Sequence, residues 1–165
     1  MSIPINKTQQ VPKRYVPKNL SKKDREKQLR NLRKSRKLYQ QGKYFTRPKI
    51  ASFKNKKSGH LEHAYKKYKV NNMTPTNKLS NATGCNIKTL KKIINKGEGA
   101  YFSSGSRPSQ SAQSWGYARL ASSLTGGNAS IVDFHLLQDG CKPNSVALRL
   151  AKETCHKQNK CKKYL

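Results

Sequence analysis

The fold class turns on ASIVDFHLL, residues 129–137. This stretch follows a break at Gly126 and Gly127, and its alternation of apolar and polar residues predicts a strand. Ahead of it, SQSAQSWGYARLASSLT (109–125) reads as a helix capped by Ser109. Ala112, Trp115, Tyr117, Leu120, Ala121 and Leu124 give that helix a broad apolar surface. Trp115, the single tryptophan, is the expected core anchor. Beyond the strand, Pro143 and Asn144 lead into an amphipathic helix over 145–156, with Val146, Ala147, Leu150 and Ala151 turned inward. The expected fold class is therefore α+β: a small, mostly helical globule with a helix-turn-helix-like hairpin and a long basic N-terminal arm.

The hairpin is read from KLSNATGCNIKTLKKIINKG, residues 78–97. Pro75 opens a first helix over 76–83 that Gly84 ends, and Asn86 caps a second helix over 86–95 that stops at Gly97. Leu79 and Ala82 supply the inner face of the first helix; Ile87, Leu90 and Ile93 anchor the second. On that geometry Lys88, Thr89, Lys91 and Lys92 face outward, toward a DNA groove or phosphates. The same apolar pattern also suits an αα-hairpin used for packing or non-specific phosphate contact, which is the preferred reading. In GEGAYFSSGSRPSQ, Tyr101 and Phe102 look like a short buried strand followed by a turn. A turn before a helix, with Ser104, Ser106 and Arg107, makes a candidate anion-binding loop beside the plainer reading of a structural turn.

Charge dominates the N-terminal half. The 165 residues carry 36 Lys and Arg against 7 Asp and Glu, a formal net charge of +29. Residues 1–70 hold 22 of those basic residues with only Asp24, Glu26 and Glu62 among the acids. So one-sided a charge repels itself in a compact isolated globule and calls for a polyanion or an acidic surface nearby. At a hydrophobic fraction of 33% and a mean hydropathy of −0.95, the core is expected to be smaller than the length would normally give. Ser21 with Asp24 caps a basic helix over 21–41, which Gly42 ends. Its Arg25, Arg30, Arg33, Lys34, Arg36 and Lys37 are candidates for binding nucleic acid or an acidic protein surface. A further short helix is expected over 60–69. The organisation expected is an extended proline-containing arm over 1–19, a basic helical adaptor over 20–70, the hairpin over 71–97, an α+β core over 98–154 and a basic tail over 155–165. The opening lacks the apolar core of a secretory signal, and no apolar run is long enough to span a membrane.

Catalytic chemistry is not legible. Glu98, Asp133, Asp139 and Glu153 form no recognisable carboxylate pair, and no nucleophile elbow is present. The expectation is no enzyme activity, no cofactor and no small-molecule substrate. His60 and His63 lack a further ligand nearby, and Cys85, Cys141, Cys155 and Cys161 form no C-x-x-C pair. Free thiols, with Cys85 buried in the helix pair, are preferred over one disulfide among the last three cysteines or a zinc site, so no metal is expected.

Three blocks, LSKKDREKQLRNLRKSRKLYQQGKYFTRPKIASFKNKKS, ATGCNIKTLKKIINKGEGAYFSSGSRPSQSAQSWGYARLASSLTGG and VDFHLLQDGC, together resemble an uncharacterised family of small basic proteins from chlorella viruses and related nucleocytoplasmic large DNA viruses. The likeness runs from about Leu20 to Ala151, with GAYFSSGSRP…SWGYARLASSLTGG its most specific part. It implies a viral gene product located in the virion and carries over no catalytic residue. The expected function is that of a non-enzymatic minor capsid-associated protein, its basic arm bridging other capsid proteins or reaching the internal anionic membrane. The alternative is a virion-associated protein that binds genomic DNA through the hairpin and the basic helix.

Overall fold

A computed structural model describes residues 10–56 and 58–165. Its elements are α1 (Lys22–Gln40), α2 (Gly59–Tyr68), α3 (Asn77–Thr83), α4 (Ile87–Ser103), α5 (Ala112–Leu124), α6 (Asn128–Val132), α7 (Phe134–Gly140) and α8 (Val146–Lys157). Among the described residues there is no strand; the extended pairing is a single antiparallel bridge between Cys85 and Cys141. The protein is all-helical, and the α+β expectation is corrected.

The correction rests on ASIVDFHLL, which forms α6 and α7 with a break at Asp133. Ser130, Asp133, Phe134 and Leu137 are all fully buried, at offsets of three, four and seven, while Val132 is 62% exposed. That is helical spacing. The period is hidden in the sequence because two of its four inward positions are polar. Ser130 donates its hydroxyl hydrogen to the Gly127 carbonyl at 2.6 Å, and Asp133 is satisfied by partners described below. The expected strand at Tyr101 and Phe102 is likewise helical, within α4.

The chain divides into two compact units. The first contains residues 10–56 and Gly99–Ala112. Ser21 caps α1, its hydroxyl accepting from the Asp24 N–H at 3.2 Å, and Gly42 ends it with φ +74°. Gln28, Leu32 and Ser35 are the buried face of α1. Tyr15, at the end of a 3-10 turn over Lys13–Tyr15, Leu20, Ile50 and Tyr101 are buried in the same unit. Of the arm expected over 1–19, residues 1–9 lie outside the described residues.

The second unit contains residues 58–98 and Gln113–Leu165. Its core gathers Leu79, Leu90, Ile93, Leu120, Leu124, Phe134, Leu137 and Ala151 with smaller neighbours. Trp115, expected as the anchor of this core, is only partly buried. Helices α6, α7 and α8 pack on one another, and α2 packs on α3. Buried Tyr68 on α2 donates its hydroxyl hydrogen to the Leu124 carbonyl, and burial pushes its phenol pKa up.

Gly97 does not stop α4; it lies inside the helix. A Cβ there would sit 2.7 Å from Gly116 Cα on α5, so the pair of glycines lets two helix backbones touch. Gly97→Ala is expected to lower the unfolding free energy by about 1–3 kcal/mol through forced separation of the helices, measured by urea denaturation. An unchanged midpoint would rule out the close crossing.

The cysteine reading is corrected too. Cys85 pairs with Cys141, and Cys155 with Cys161. The first bridge joins the α3–α4 turn to the segment between α7 and α8, flanked by Asn86 N–H to Gly140 O at 2.9 Å and Lys142 N–H to Gly84 O at 2.8 Å. Fifty-six residues separate the partners, so sequence spacing carries no sign of the pair.

Candidate functional site

Each unit presents its own cationic face. In the first, the described residues include eighteen lysines and arginines against Asp24 and Glu26. Gln28, Leu32 and Ser35 set the inward side of α1, which leaves Arg25, Arg30, Arg33, Lys34 and Lys37 exposed. Arg36 is half-buried and serves the fold: its Nε donates to the Ser104 carbonyl at 2.8 Å and its Nη1 to the Gln10 carbonyl at 3.1 Å. Lys34 holds its ammonium 4.4 Å over the Phe45 ring. Asp24 is occupied as well, accepting from the Ser52 N–H at 3.0 Å. Hydrogen bonds from Ser52 hold its carboxyl below the usual carboxylate range.

In the second unit, Asn86 caps α4 by accepting from the Thr89 N–H at 2.7 Å. Gly84 takes the left-handed conformation (φ +77°) between α3 and α4, as the hairpin pattern requires. Lys88, Lys91, Lys92 and Lys96 are exposed, and none forms an ion pair with a described residue. Their offsets of three and four place them on one side of the helix. Thr89 does not join them: it is 6% exposed and packs on Gly140, where a Cβ would collide with its hydroxyl oxygen. Residue 140 is therefore confined to glycine by the side chain that the sequence pattern points outward.

The candidate anion loop is arranged differently from its expectation. Ser104 and Arg107 are exposed, but Ser106 is buried. Its hydroxyl accepts from Arg47 Nη2 at 2.8 Å and donates to the Arg107 carbonyl at 2.8 Å. Ser106 is thus turned into the unit and away from solvent.

Arg47 has no distinguishing mark in the sequence, where it is one cation among many. It is 5% exposed, and its Nη1 donates to Ser35 Oγ and to the Tyr101 carbonyl, both at 2.8 Å. Its guanidinium lies 3.8 Å from the Tyr101 ring centroid. Burial pulls its pKa below the usual arginine value, with the nearby tyrosines opposing. A buried guanidinium satisfied by hydroxyls, a carbonyl and a π-face keeps its charge without a carboxylate partner. Asp133 is the complementary case in the second unit. Fully buried, it accepts from Arg119 Nε at 3.0 Å, Arg119 Nη2 at 2.8 Å and Ser123 Oγ at 2.9 Å. The only hint in the sequence is that each partner is a charge set within an apolar stretch.

His60 and His63 are exposed on α2, and among the described residues no group of three or more His, Cys, Asp or Glu side chains is arranged to hold a metal ion. No described helix is long and apolar enough to cross a membrane. The pattern of a family described as "Family of unknown function (DUF5824)" matches residues 12–138. No curated protein and no solved structure matches the chain.

Proposed function

We propose a function for this protein, which belongs to the DUF5824 family of unknown function: it is a non-enzymatic minor structural component of a large icosahedral DNA virus. In this reading its basic segments lie against acidic capsid subunits or the anionic surface of the internal membrane. The observation that carries it is the distribution of charge. Exposed lysines and arginines line α1 and α4 and far outnumber the carboxylates, of which Asp133 is buried with Arg119 and Asp24 accepts from Ser52. Positive faces whose neutralising groups are not in the chain gain most from an external anionic surface. The sequence resemblance to small basic proteins of chlorella viruses supports the viral setting.

A second reading is a virion-associated DNA-binding protein, favoured by the Lys88, Lys91 and Lys92 row on a helix that follows a tight turn. Neutralising phosphates would release counterions and make binding fall steeply with salt. Fractionating gently disrupted virions after nuclease treatment separates the two. The protein is expected to stay with shell fragments; release together with the genome would overturn the capsid reading in favour of the second.

A further inference from the structure

The end of α1, the loop behind it and the end of α4 carry a row of aromatic rings that runs from a buried end to an open one. Tyr101 is fully buried, and Phe102 meets it edge-on with centroids 5.0 Å apart. Tyr44 follows at 5.1 Å from Phe102, and Tyr39 at 6.1 Å from Tyr44. At the open end Tyr44 is 72% exposed and Tyr39 is 38% exposed.

The inner end is anchored firmly. The Phe102 carbonyl accepts from Ser35 Oγ at 3.0 Å, and the Tyr101 hydroxyl accepts from the Arg47 N–H at 3.0 Å. At the outer end the chain reverses at Gly42, where Gly42 N–H bonds Tyr39 O at 3.0 Å and Lys43 N–H bonds Leu38 O at 2.8 Å. That reversal sets exposed Lys43 directly before Tyr44. Neither outer phenol hydroxyl has a hydrogen-bond partner among the described residues, so hydrogen bonding does not account for the position of these rings.

Rings held open to water leave apolar surface uncovered, and the chemistry that covers it must also suit the strongly cationic unit that carries it. We infer that Tyr39 and Tyr44 form a stacking platform for the bases of a single-stranded nucleic acid, with Lys43 meeting its phosphates. A single strand supplies both needs, since its unpaired bases offer π-faces at the spacing of a charged backbone. In a duplex those faces are already stacked on one another. The inference concerns the first unit alone and does not depend on where the protein resides in a particle.

The test uses the full-length protein, a labelled thymidine oligonucleotide and heparin, a polyanion without bases. Tyr44→Ala is expected to weaken oligonucleotide binding roughly tenfold and to leave heparin binding unchanged. Tyr44→Phe, which keeps the ring and loses only an unbonded hydroxyl, should bind as the parent does. Lys43→Gln should weaken both ligands. Unchanged oligonucleotide affinity in Tyr44→Ala, equal losses for both ligands, or equal competition by a duplex of the same length would each overturn the platform. A selective loss of polyglutamate binding in Tyr44→Ala would do so too and assign the rings to an acidic protein.

Discussion

Replacing Cys85 and Cys141 together by serine is expected to lower the unfolding free energy by about 4 kcal/mol, the loop-closure entropy of a bridge spanning 56 residues. The bridge constrains the unfolded chain over that whole interval, and in the folded state it holds the start of α4 against the segment that enters α8. The loss should appear in equilibrium urea denaturation as a lower midpoint, and the parent protein under reducing conditions, which opens both bridges, should lose at least as much. The Cys155–Cys161 bridge closes only six residues, so its removal should cost less. A double-serine variant within about 1 kcal/mol of the parent would show that the hydrogen bonds and packing around Gly140 hold the junction without the sulfurs.

Asp133→Ala carries the other large effect, expected at about 3–5 kcal/mol. The alanine removes the acceptor of two Arg119 hydrogen bonds and one Ser123 bond at a position with no solvent access. Arg119, whose side chain is 21% exposed, loses its partner with little water to replace it. The comparison that identifies the mechanism is the double change Arg119→Met with Asp133→Leu, which removes both charges and keeps apolar volume. It should recover most of the stability, because the cost of the single variant is mainly that of a stranded charge. Equal losses in the single and double variants would mean that the hydrogen bonds lost in both, and not the uncompensated guanidinium, dominate.

Helix ends are the part of the fold most legible in the sequence. Ser21, Thr76, Asn86 and Ser145 each accept an N–H in the first turn of the helix that follows, and Gly42 and Gly84 terminate where a positive φ is required. These signals are local: one side chain and a few backbone groups suffice. Helix interiors are less legible where a polar residue occupies an inward position. Ser130 and Asp133 break the apolar period of α6 and α7, and so the stretch reads as a strand. Gly97 reads as a stop because a sequence cannot show that Gly116 lies against it. Ser109, expected to cap α5, instead has φ +61° and accepts from the Ile50 N–H at 3.0 Å.

The candidate surfaces divide along the same line. That α1 and α4 carry dense positive charge on exposed sides follows from composition and helical period, because solvated lysines need no partner to keep their places. Which side chains are withdrawn from that surface depends on long-range contact. Arg47 is buried among Ser35, Tyr101 and Ser106, Arg36 is tied to backbone carbonyls, and Thr89 turns inward onto Gly140. Charge and most helix termini are readable from the chain alone, being governed by interactions within a turn or two, but inward faces only in part: Val146 and Ala82, read as inward, are exposed, whereas Leu148 and Thr89 are buried. The all-helical class, both disulfides, the Arg119–Asp133 pair and the open aromatic row emerge only in the folded chain. Each rests on contacts beyond a single turn, and the approach of the partners depends on the shape of everything packed between them.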